Sequence, residues 1–452
     1  MRFLNTIGEP VIQSTIVACL ILGQVHASGF ALIENGASGQ GNAYAGSAAH
    51  AIDASTVFFN PAGMMQLEKD HFSIAGHYIK PNSSFTNQGS TAAVILGRTA
   101  LTGSDDDGGL AAFVPNLYWV KSVDQQTKMG LGVQTLFGLA TKYDDAWVGR
   151  YHAVETDLKT LNINPSIAFQ VNSQMAIGGG IDMVFGDIVF SNAIDFGAIC
   201  VALGLASATC SPQATDGFAD LSGDNLSDPA FGFNFGLQYL ITPATNLGVS
   251  YRSEIDLEFE GTADFMVPAG ATFLTVGGRF SDSAISAGVT LPASLALSVS
   301  HTVEKVTYLA DVTWTGWSSF DELRIDYANP LQPDSVTTEN WNDTLRYSVG
   351  FDYQYTDKMV LRSGVALDQT PVPNAERRTA RIPGNDRKWV SFGLTYLLDE
   401  DLTLDVGYSH LFIKDVQINN EYESSIPTLE STQKGEYKAS VDILSAQLNW
   451  SY

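Results

Sequence analysis

The last residues of the chain, 444–452, alternate apolar and polar side chains and end on an aromatic residue. The same period of two runs through 231–241 and 345–355, where aromatic residues alternate mostly with small or polar ones. This period places one set of side chains on each face of a β-strand. A soluble sandwich buries its apolar face, whereas a barrel in lipid turns an aromatic-rich face outward and keeps polar groups in its lumen. The pattern therefore predicts the strands of a membrane barrel.

Length and composition are consistent with one large barrel. The chain has 452 residues, and no Pro-rich, Ser-rich or charged linker divides it. Beyond the N-terminus it lacks the apolar runs of about 20 residues that transmembrane helices need. We therefore predict an all-β fold, a transmembrane antiparallel β-barrel of about 14 strands. The net charge of −25 argues against nucleic acid as a partner, because phosphate binding needs a basic surface.

The connections between the predicted strands alternate in length, as they do in bacterial outer-membrane barrels. Short turns follow every second strand, for example at 124–126, 172–173 and 304–305, and long loops such as 191–228 and 261–287 lie between them. We expect the short turns and both termini to face the periplasm. The predicted strands lie near 71–81, 113–123, 128–140, 154–171, 174–190, 229–241, 246–260, 288–303, 306–318, 344–356, 358–369, 387–398, 402–415 and 437–452.

The N-terminal 69 residues divide into two segments that precede the predicted barrel, 70–452. Residues 1–27 have the apolar stretch and the small residues before Ala27 of a signal peptide, and lipidation at Cys19 is the weaker alternative. Residues 28–69 are rich in Gly and Ala and lack strand alternation. A barrel of this size has a lumen wider than its side chains fill, and irregular backbone at membrane depth must be surrounded by protein or water. We therefore predict that 28–69 plugs the lumen as a hatch.

Cys200 and Cys210 are the cysteines that remain after the predicted signal peptide. They lie in a predicted surface loop of an exported protein, so we expect a disulfide, with two free thiols as the alternative.

A series of short segments occurs in order along the chain. They are Ser28-Gly29-Phe30-Ala31-Leu32, the glycines between Gly36 and Gly46, Asn60-Pro61-Ala62-Gly63-Met64, and the runs 143–151, 291–294, 314–320, 351–353, 368–373 and 381–389. Together they resemble the FadL family of outer-membrane channels for long-chain fatty acids and other hydrophobic compounds. The resemblance covers essentially the whole mature chain, and its most specific part is the N-terminal segment with Asn60-Pro61-Ala62.

The resemblance implies a hatch in a 14-stranded barrel of the bacterial outer membrane. It also implies capture of a hydrophobe by surface loops, binding in an apolar pocket, and lateral release beside a kinked third strand. In this sequence, the residues expected to gate the hatch are Asn60, Pro61 and Ala62. The lateral opening falls to the third strand, near 128–141, with its glycines Gly130, Gly132 and Gly138. Glycine weakens strand pairing. The alternative is that these glycines only reduce the side-chain volume on the lumen face.

The resemblance also suggests the ligand-binding residues. Arg324 matches a basic residue of the family pocket, where it would pair with a carboxylate head, and the alternative is a solvated loop arginine. No second basic residue occurs in 185–190, which leaves room for neutral hydrophobes, including aromatic hydrocarbons. The other predicted ligand-binding residues are Trp317 and Phe320 in the pocket and Phe190, Phe196, Phe265, Met266 and Phe273 in the loops.

Other functional classes have weaker support. His410 is followed by Leu411 and Phe412, so it lacks the Ser two residues on that a barrel phospholipase would need. No His-Glu-x-x-His motif occurs, and we expect no enzyme activity, cofactor or metal. A general porin for small polar solutes is the main alternative.

The expected partners are a long-chain fatty acid or another hydrophobic small molecule, outer-membrane lipid and lipopolysaccharide, and we expect a monomer.

Overall fold

The computed structural model describes residues 29–452, and the predicted signal peptide lies outside this range. The described residues form 21 strands of one sheet. In chain order they are β1 (His71–Asn87), β2 (Ala112–Ser122), β3 (Thr127–Gln134), β4 (Gly138–Lys142), β5 (Glu155–Gln170), β6 (Met175–Asp195), β7 (Asp216–Asp224), β8 (Ala230–Thr242), β9 (Thr245–Arg252), β10 (Ile255–Met266), β11 (Ser283–Leu291), β12 (Ser294–Val303), β13 (Val306–Thr315), β14 (Glu322–Tyr327), β15 (Ser335–Thr338), β16 (Thr344–Thr356), β17 (Met359–Asp368), β18 (Arg387–Asp399), β19 (Leu402–Ile413), β20 (Val416–Glu421) and β21 (Thr432–Ser451).

Within 29–452, the strands close into an antiparallel barrel with 14 strands in its wall. Three wall strands are interrupted and consist of β3 with β4, β9 with β10, and β11 with β12, while β7, β14, β15 and β20 are additional strands. The wall closes where β21 pairs with β1 along the full length of β1, from His71 to Asn87. The predicted fold class is confirmed.

The turns and loops follow the predicted alternation. Short connections join β2 to β3, β5 to β6, β8 to β9, β12 to β13, β16 to β17 and β18 to β19. The β5–β6 turn shows the local cause, because the Asn172 side chain accepts hydrogen bonds from the backbone N–H groups of Gln174 and Met175 at 2.9 and 3.0 Å. Several strands run further into the loops than predicted. β6, for example, ends at Asp195, because its last residues pair with β7.

The wall strands expose their apolar face and bury their polar face. On β8, Phe231 and Phe233 are 60% and 55% exposed, whereas Asn234 is 3% exposed. On β16, Val349 is exposed and Ser348 is buried. This inversion is the one that a barrel in lipid requires, with apolar side chains toward the bilayer and polar ones in the lumen.

Residues 29–70 lie inside the barrel. They contain the helices α1 (Ala37–Gln40) and α2 (Thr56–Phe59) and the 3₁₀-helix Pro61–Gln66, and most of their residues are buried. Hydrogen bonds join this segment to wall strands on different sides of the lumen, so it fills the cross-section as a hatch. They include Ala37 N to Gln447 Oε1 at 2.8 Å, Asn42 Nδ2 to Asp352 Oδ1 at 3.0 Å, Ala48 N to Ser298 Oγ at 3.1 Å and Asn60 Nδ2 to Leu237 O at 3.1 Å.

The remaining helices are short and belong to the loops. They are α3 (Phe196–Ala202) and the 3₁₀-helices Val94–Leu96, Ala269–Thr275, Trp317–Ser319 and Pro427–Leu429. No helix in the described part of the chain has both the length and the apolar character to cross a lipid bilayer.

Candidate ligand passage and hatch

An aromatic cluster surrounds Phe30 near the start of the hatch. The ring centroid of Phe30 lies 4.9 Å from that of Trp317, 5.7 Å from Phe320, and 5.8 Å from both Phe137 and Trp341. All five side chains are buried. Separations in this range are favourable for edge-to-face aromatic contacts. Because Phe30 belongs to the hatch and its neighbours to the barrel and loops, the cluster attaches the hatch to the apolar interior.

A cavity of about 210 Å³ lies among the outer loops, and we call it the outer cavity. Its lining includes the apolar residues Phe190, Phe265 and Ile325 and the charged residues Glu339 and Arg381. Phe190 and Ile325 also belong to the apolar core that contains the Phe30 cluster. The outer cavity therefore reaches the aromatic cluster through a continuous apolar surface.

Arg381 and Glu339 are two of the charged groups that line the outer cavity, and the sequence suggested neither of them. The guanidinium carbon of Arg381 lies 4.9 Å from the ring centroid of Phe190, and Nη1 donates to Thr156 Oγ1 at 2.9 Å. Burial lowers the pKa of Arg381 to about 10, so it remains cationic at neutral pH. Burial raises the pKa of Glu339 to about 8, and Trp341 Nε1 donates to its carboxylate at 2.8 Å.

A second cavity, of about 150 Å³, lies between the hatch and the wall, and we call it the inner cavity. Hatch residues from Ala31 to Glu34 form one side of it. Phe137 lines it and also contacts Phe30, so the aromatic cluster borders the inner cavity as well. The opposite side is the wall, including Arg346 of β16 and Trp389 of β18.

The barrel wall lacks part of its backbone pairing beside the inner cavity. Among the described residues, β2 pairs with β3 only from Leu117 to Ser122, and β4 pairs with β5 but forms no ladder with β2. The break between β3 and β4 spans 135–137. The hatch covers it, since Leu32 N donates to Leu136 O and Gly138 N donates to Phe30 O, each at 3.0 Å. At this position, hatch backbone takes the place of a neighbouring strand.

Asn60 anchors the centre of the hatch. Its Nδ2 donates to Ala48 O at 2.6 Å and to Leu237 O of β8 at 3.1 Å, and its Oδ1 accepts from Ala62 N at 3.1 Å. Asn60 thus caps the 3₁₀-helix that begins at Pro61 and ties it to the wall. The predicted gating residues Asn60, Pro61 and Ala62 are all buried at this junction.

The predicted apolar ligand-binding residues separate into four groups. Phe190 and Phe265 line the outer cavity, and Trp317 and Phe320 lie in the aromatic cluster. Phe196 is buried in α3 behind the cavity, with its ring centroid 5.0 Å from that of Phe280. Met266 and Phe273 are 52% and 43% exposed and are absent from the described lining of both cavities.

Arg324 lies at the protein surface and outside both cavities. Its side chain is exposed, and Nε donates to Glu322 Oε1 at 2.8 Å. Its neighbours on β14, Leu323 and Ile325, both line the outer cavity. Because side chains alternate along a strand, Arg324 points the other way. It is not among the described residues that line either cavity.

The glycines of the third wall strand lie beside the break and not in it. Gly130 and Gly132 belong to the paired strand β3, and Gly138 is the first residue of β4. A Cβ atom on Gly130 would lie 2.5 Å from Met64 Sδ, and one on Gly138 would lie 3.0 Å from Leu32 Cδ1. At these two positions glycine leaves room for the hatch.

A disulfide joins Cys200 of α3 to Cys210. Both cysteines are buried in a small apolar cluster with Phe196 and Phe280, next to the outer cavity. In the described range 29–452, no group of three or more His, Cys, Asp or Glu side chains is arranged to hold a metal ion.

Comparison with known proteins places this architecture in a family. Residues 18–452 match the family described as outer membrane protein transport protein (OMPP1/FadL/TodX). The chain is 30% identical over 438 residues to the long-chain fatty acid transport protein of Escherichia coli, covering 93% of this chain and 94% of the relative. It is 28% identical to outer membrane protein P1 of Haemophilus influenzae, covering 97% and 99% of the two chains.

Solved structures share the fold. A FadL homologue of Pseudomonas aeruginosa superposes with a TM-score of 0.83 at 24% identity, covering 94% of this chain and 99% of the other. The toluene transporter TodX of Pseudomonas putida superposes with a TM-score of 0.65 at 18% identity, covering 88% and 94%. The chain belongs to the OMPP1/FadL/TodX family of outer membrane transport proteins.

Proposed function

We propose that this protein takes up long-chain fatty acids across the outer membrane. The observation that supports this most strongly is the pair of cavities on either side of the Phe30 cluster. Apolar residues form part of the wall of each cavity, and each wall also contains arginines, among them Arg381 in the outer cavity and Arg346 in the inner one. An apolar tail gains about 0.8 kcal/mol for each methylene group it buries. A carboxylate head needs a cation or hydrogen-bond donors, because an unpaired buried charge is costly.

The proposed route begins in the outer cavity. The tail enters among Phe190, Phe265 and Ile325, and the head stays near Arg381. The ligand then passes the Phe30 cluster into the inner cavity when the start of the hatch shifts. It leaves sideways between the upper part of β2 and β4, where the ladder is missing and Leu136 and Phe137 line the inner cavity. Lateral release delivers the tail directly to the bilayer, without passage through water.

The other functions have less support. TodX is named as a toluene transporter, and a neutral aromatic ligand would have no use for a cation in either cavity. A general porin needs an open lumen, whereas the hatch is hydrogen-bonded across this one. We propose that the protein acts as a monomer, because one chain closes the barrel. We also propose that bilayer lipid surrounds the wall, with lipopolysaccharide around the outer loops.

A disulfide across the break tests the route. Ala31 and Phe137 form an antiparallel bridge, and the hydrogen bonds that flank it mark them as a non-hydrogen-bonded pair. Cα atoms in such pairs lie about 4.5 Å apart, within the range of disulfides. Oxidised Ala31→Cys/Phe137→Cys protein should bind oleate but fail to transport it into proteoliposomes, and reduction should restore transport.

The controls are the two single variants and wild-type protein treated with the same reductant, since reduction also opens the Cys200–Cys210 disulfide. Oleate transport that continues in the oxidised double variant would contradict lateral release. Wild-type protein that fails to transport oleate would overturn the proposed function itself.

A further inference from the structure

We propose that Arg346 and Trp389 form a second anion-binding site, in the inner cavity, which holds the carboxylate head of the ligand after it has passed the Phe30 cluster. This inference rests on the proposed function and adds a second binding site for the head group, separate from the outer cavity.

Arg346 has unused hydrogen-bonding capacity in a buried position. Its side chain lines the inner cavity and is 7% exposed. Nη2 donates to Ala43 O of the hatch at 2.8 Å, but Nε and Nη1 have no partner among the described residues. Buried donors are nearly always paired, and leaving one unpaired costs free energy. Nη2 carries a second N–H group and shares one edge of the guanidinium with Nε and the other edge with Nη1, so one edge with two N–H groups is available to an acceptor that enters the cavity.

Trp389 provides another donor on the same wall. It is 2% exposed, and its indole N–H has no partner among the described residues. The guanidinium carbon of Arg346 lies 5.2 Å from its ring centroid. No buried side-chain oxygen of the described lining lacks a partner. The unpaired groups are thus all donors, which matches a ligand that only accepts hydrogen bonds, such as a carboxylate.

The other charged residues of the inner cavity are already engaged. Arg252 pairs with Asp182 and donates to Phe58 O at 3.1 Å. Arg387 donates to Gly29 O at 3.0 Å, and Asp368 is the cross-strand neighbour of both Arg346 and Arg387.

Glu34 is the acidic group that the hatch brings to this cavity. Burial raises the pKa of Glu34, and the nearby charges of Arg387 and Arg346 oppose this shift.

The position of the site suits a head group and not a whole ligand. A cavity of about 150 Å³ has room for a carboxylate and the first part of a tail. Two N–H groups on one edge of a guanidinium can bind both carboxylate oxygens. Leu136 and Phe137, which lie within the covered break, line the same cavity. A head held at Arg346 would therefore leave the tail directed at the break, so that the tail enters the bilayer first.

The test compares two ligands that share a tail and differ in the head. Transport of hexadecanoate and of hexadecanol into proteoliposomes is measured at neutral pH for wild type, Arg346→Gln, Arg346→Lys and Arg324→Gln. Arg324 is a matched control, because it is an arginine outside both cavities. We expect Arg346→Gln to lower hexadecanoate transport about tenfold or more, as for loss of a charged hydrogen bond, and to leave hexadecanol unchanged. Arg346→Lys should restore part of the loss, and Arg324→Gln should transport both ligands like wild type.

An equal loss for both ligands, or no loss for hexadecanoate, would overturn the inference while leaving the proposed function intact. A crystal structure of wild-type protein soaked with 2-bromohexadecanoate gives an independent result, whether or not the Arg346 variants fold. We expect a bromine peak beside Arg346. Bromine in the outer cavity alone would contradict the second site.

Discussion

Glu339 is the residue whose protonation bears most directly on capture. It is buried in the outer cavity, where burial raises its pKa to about 8, and Arg381, Arg377 and Glu423 are the charged groups around it. Below that pH the carboxyl is neutral and does not oppose an anionic ligand. Above it the carboxylate repels a fatty-acid head. The affinity of the outer cavity for a fatty acid should therefore fall as the pH rises through 8. The fall is about tenfold for each unit by which the bound fatty acid raises the pKa of Glu339.

Binding of a fluorescent fatty acid to detergent-solubilised protein on either side of this pH checks the prediction. Glu339→Gln should remove the dependence. Glu322→Gln, a change at an exposed carboxylate that pairs with Arg324, should retain it. If Glu339→Gln shows the same pH profile as wild type, Glu339 does not govern capture.

Among the elements, α3 is the one that depends most on its surroundings. It has seven residues, and isolated helices of this length are unstable in water. Asp195 caps it by accepting from Ala198 N at 2.9 Å, and Phe196 packs against Phe280. The disulfide at Cys200 adds a covalent link to the loop that supports the outer cavity.

Removal of this disulfide should loosen the loop without unfolding the barrel. For a loop of 10 residues, chain entropy sets the local loss at up to about 3 kcal/mol. We expect Cys200→Ser/Cys210→Ser protein to be cleaved faster by protease near α3 and to bind oleate more weakly. Its resistance to unfolding in detergent should match wild type, because the disulfide closes one loop between β6 and β7 and crosslinks no two wall strands. Protease resistance equal to that of wild type would show that packing alone holds α3.

At the scale of the whole molecule, hatch and wall are complementary in shape. A Cβ atom on Gly178 of β6 would lie 2.6 Å from Ala62 N, and one on Gly248 of β9 would lie 1.9 Å from Ala48 O. Glycine therefore occurs where hatch backbone lies against the wall. Asn60 adds hydrogen bonds to the same contact, two of them to backbone carbonyls.

Asn60→Ala should loosen the hatch while leaving the barrel folded. It removes three hydrogen bonds, each worth about 1 kcal/mol, and leaves Leu237 O and Ala48 O with fewer donors. We expect higher ion conductance of single channels in planar bilayers and altered oleate uptake. Asn342→Ala, at an exposed loop position, serves as the control. Wild-type conductance together with wild-type uptake in Asn60→Ala would argue against a role of this residue in gating.

Much of the fold could be predicted because its signals are local. Side-chain alternation identifies a strand within a few residues, and turns such as the one at Asn172 are specified by their own side chains. The break in the third wall strand is harder to locate from sequence, because its cause is not local. It lies at 135–137, where the chain turns from the β2 ladder toward the hatch, and Phe30 and Leu32 complete its hydrogen bonds from more than 100 residues away.

The sequence by itself determined the class of strand, the antiparallel barrel and the export to a membrane, because these follow from periodicity, loop lengths and an N-terminal signal. Only the tertiary structure decided which arginine faces a cavity. Arg324 and Arg346 each lie between two apolar residues on a strand, so their local patterns are the same. β14 is an additional strand and not part of the 14-stranded wall. Its apolar residues Leu323 and Ile325 line the outer cavity, so Arg324 points away from it. In β16, the apolar neighbour Tyr347 is exposed on the lipid side, so Arg346 points into the lumen. The physical reason is that alternation separates two faces, while the packing of the whole barrel determines which face is inside.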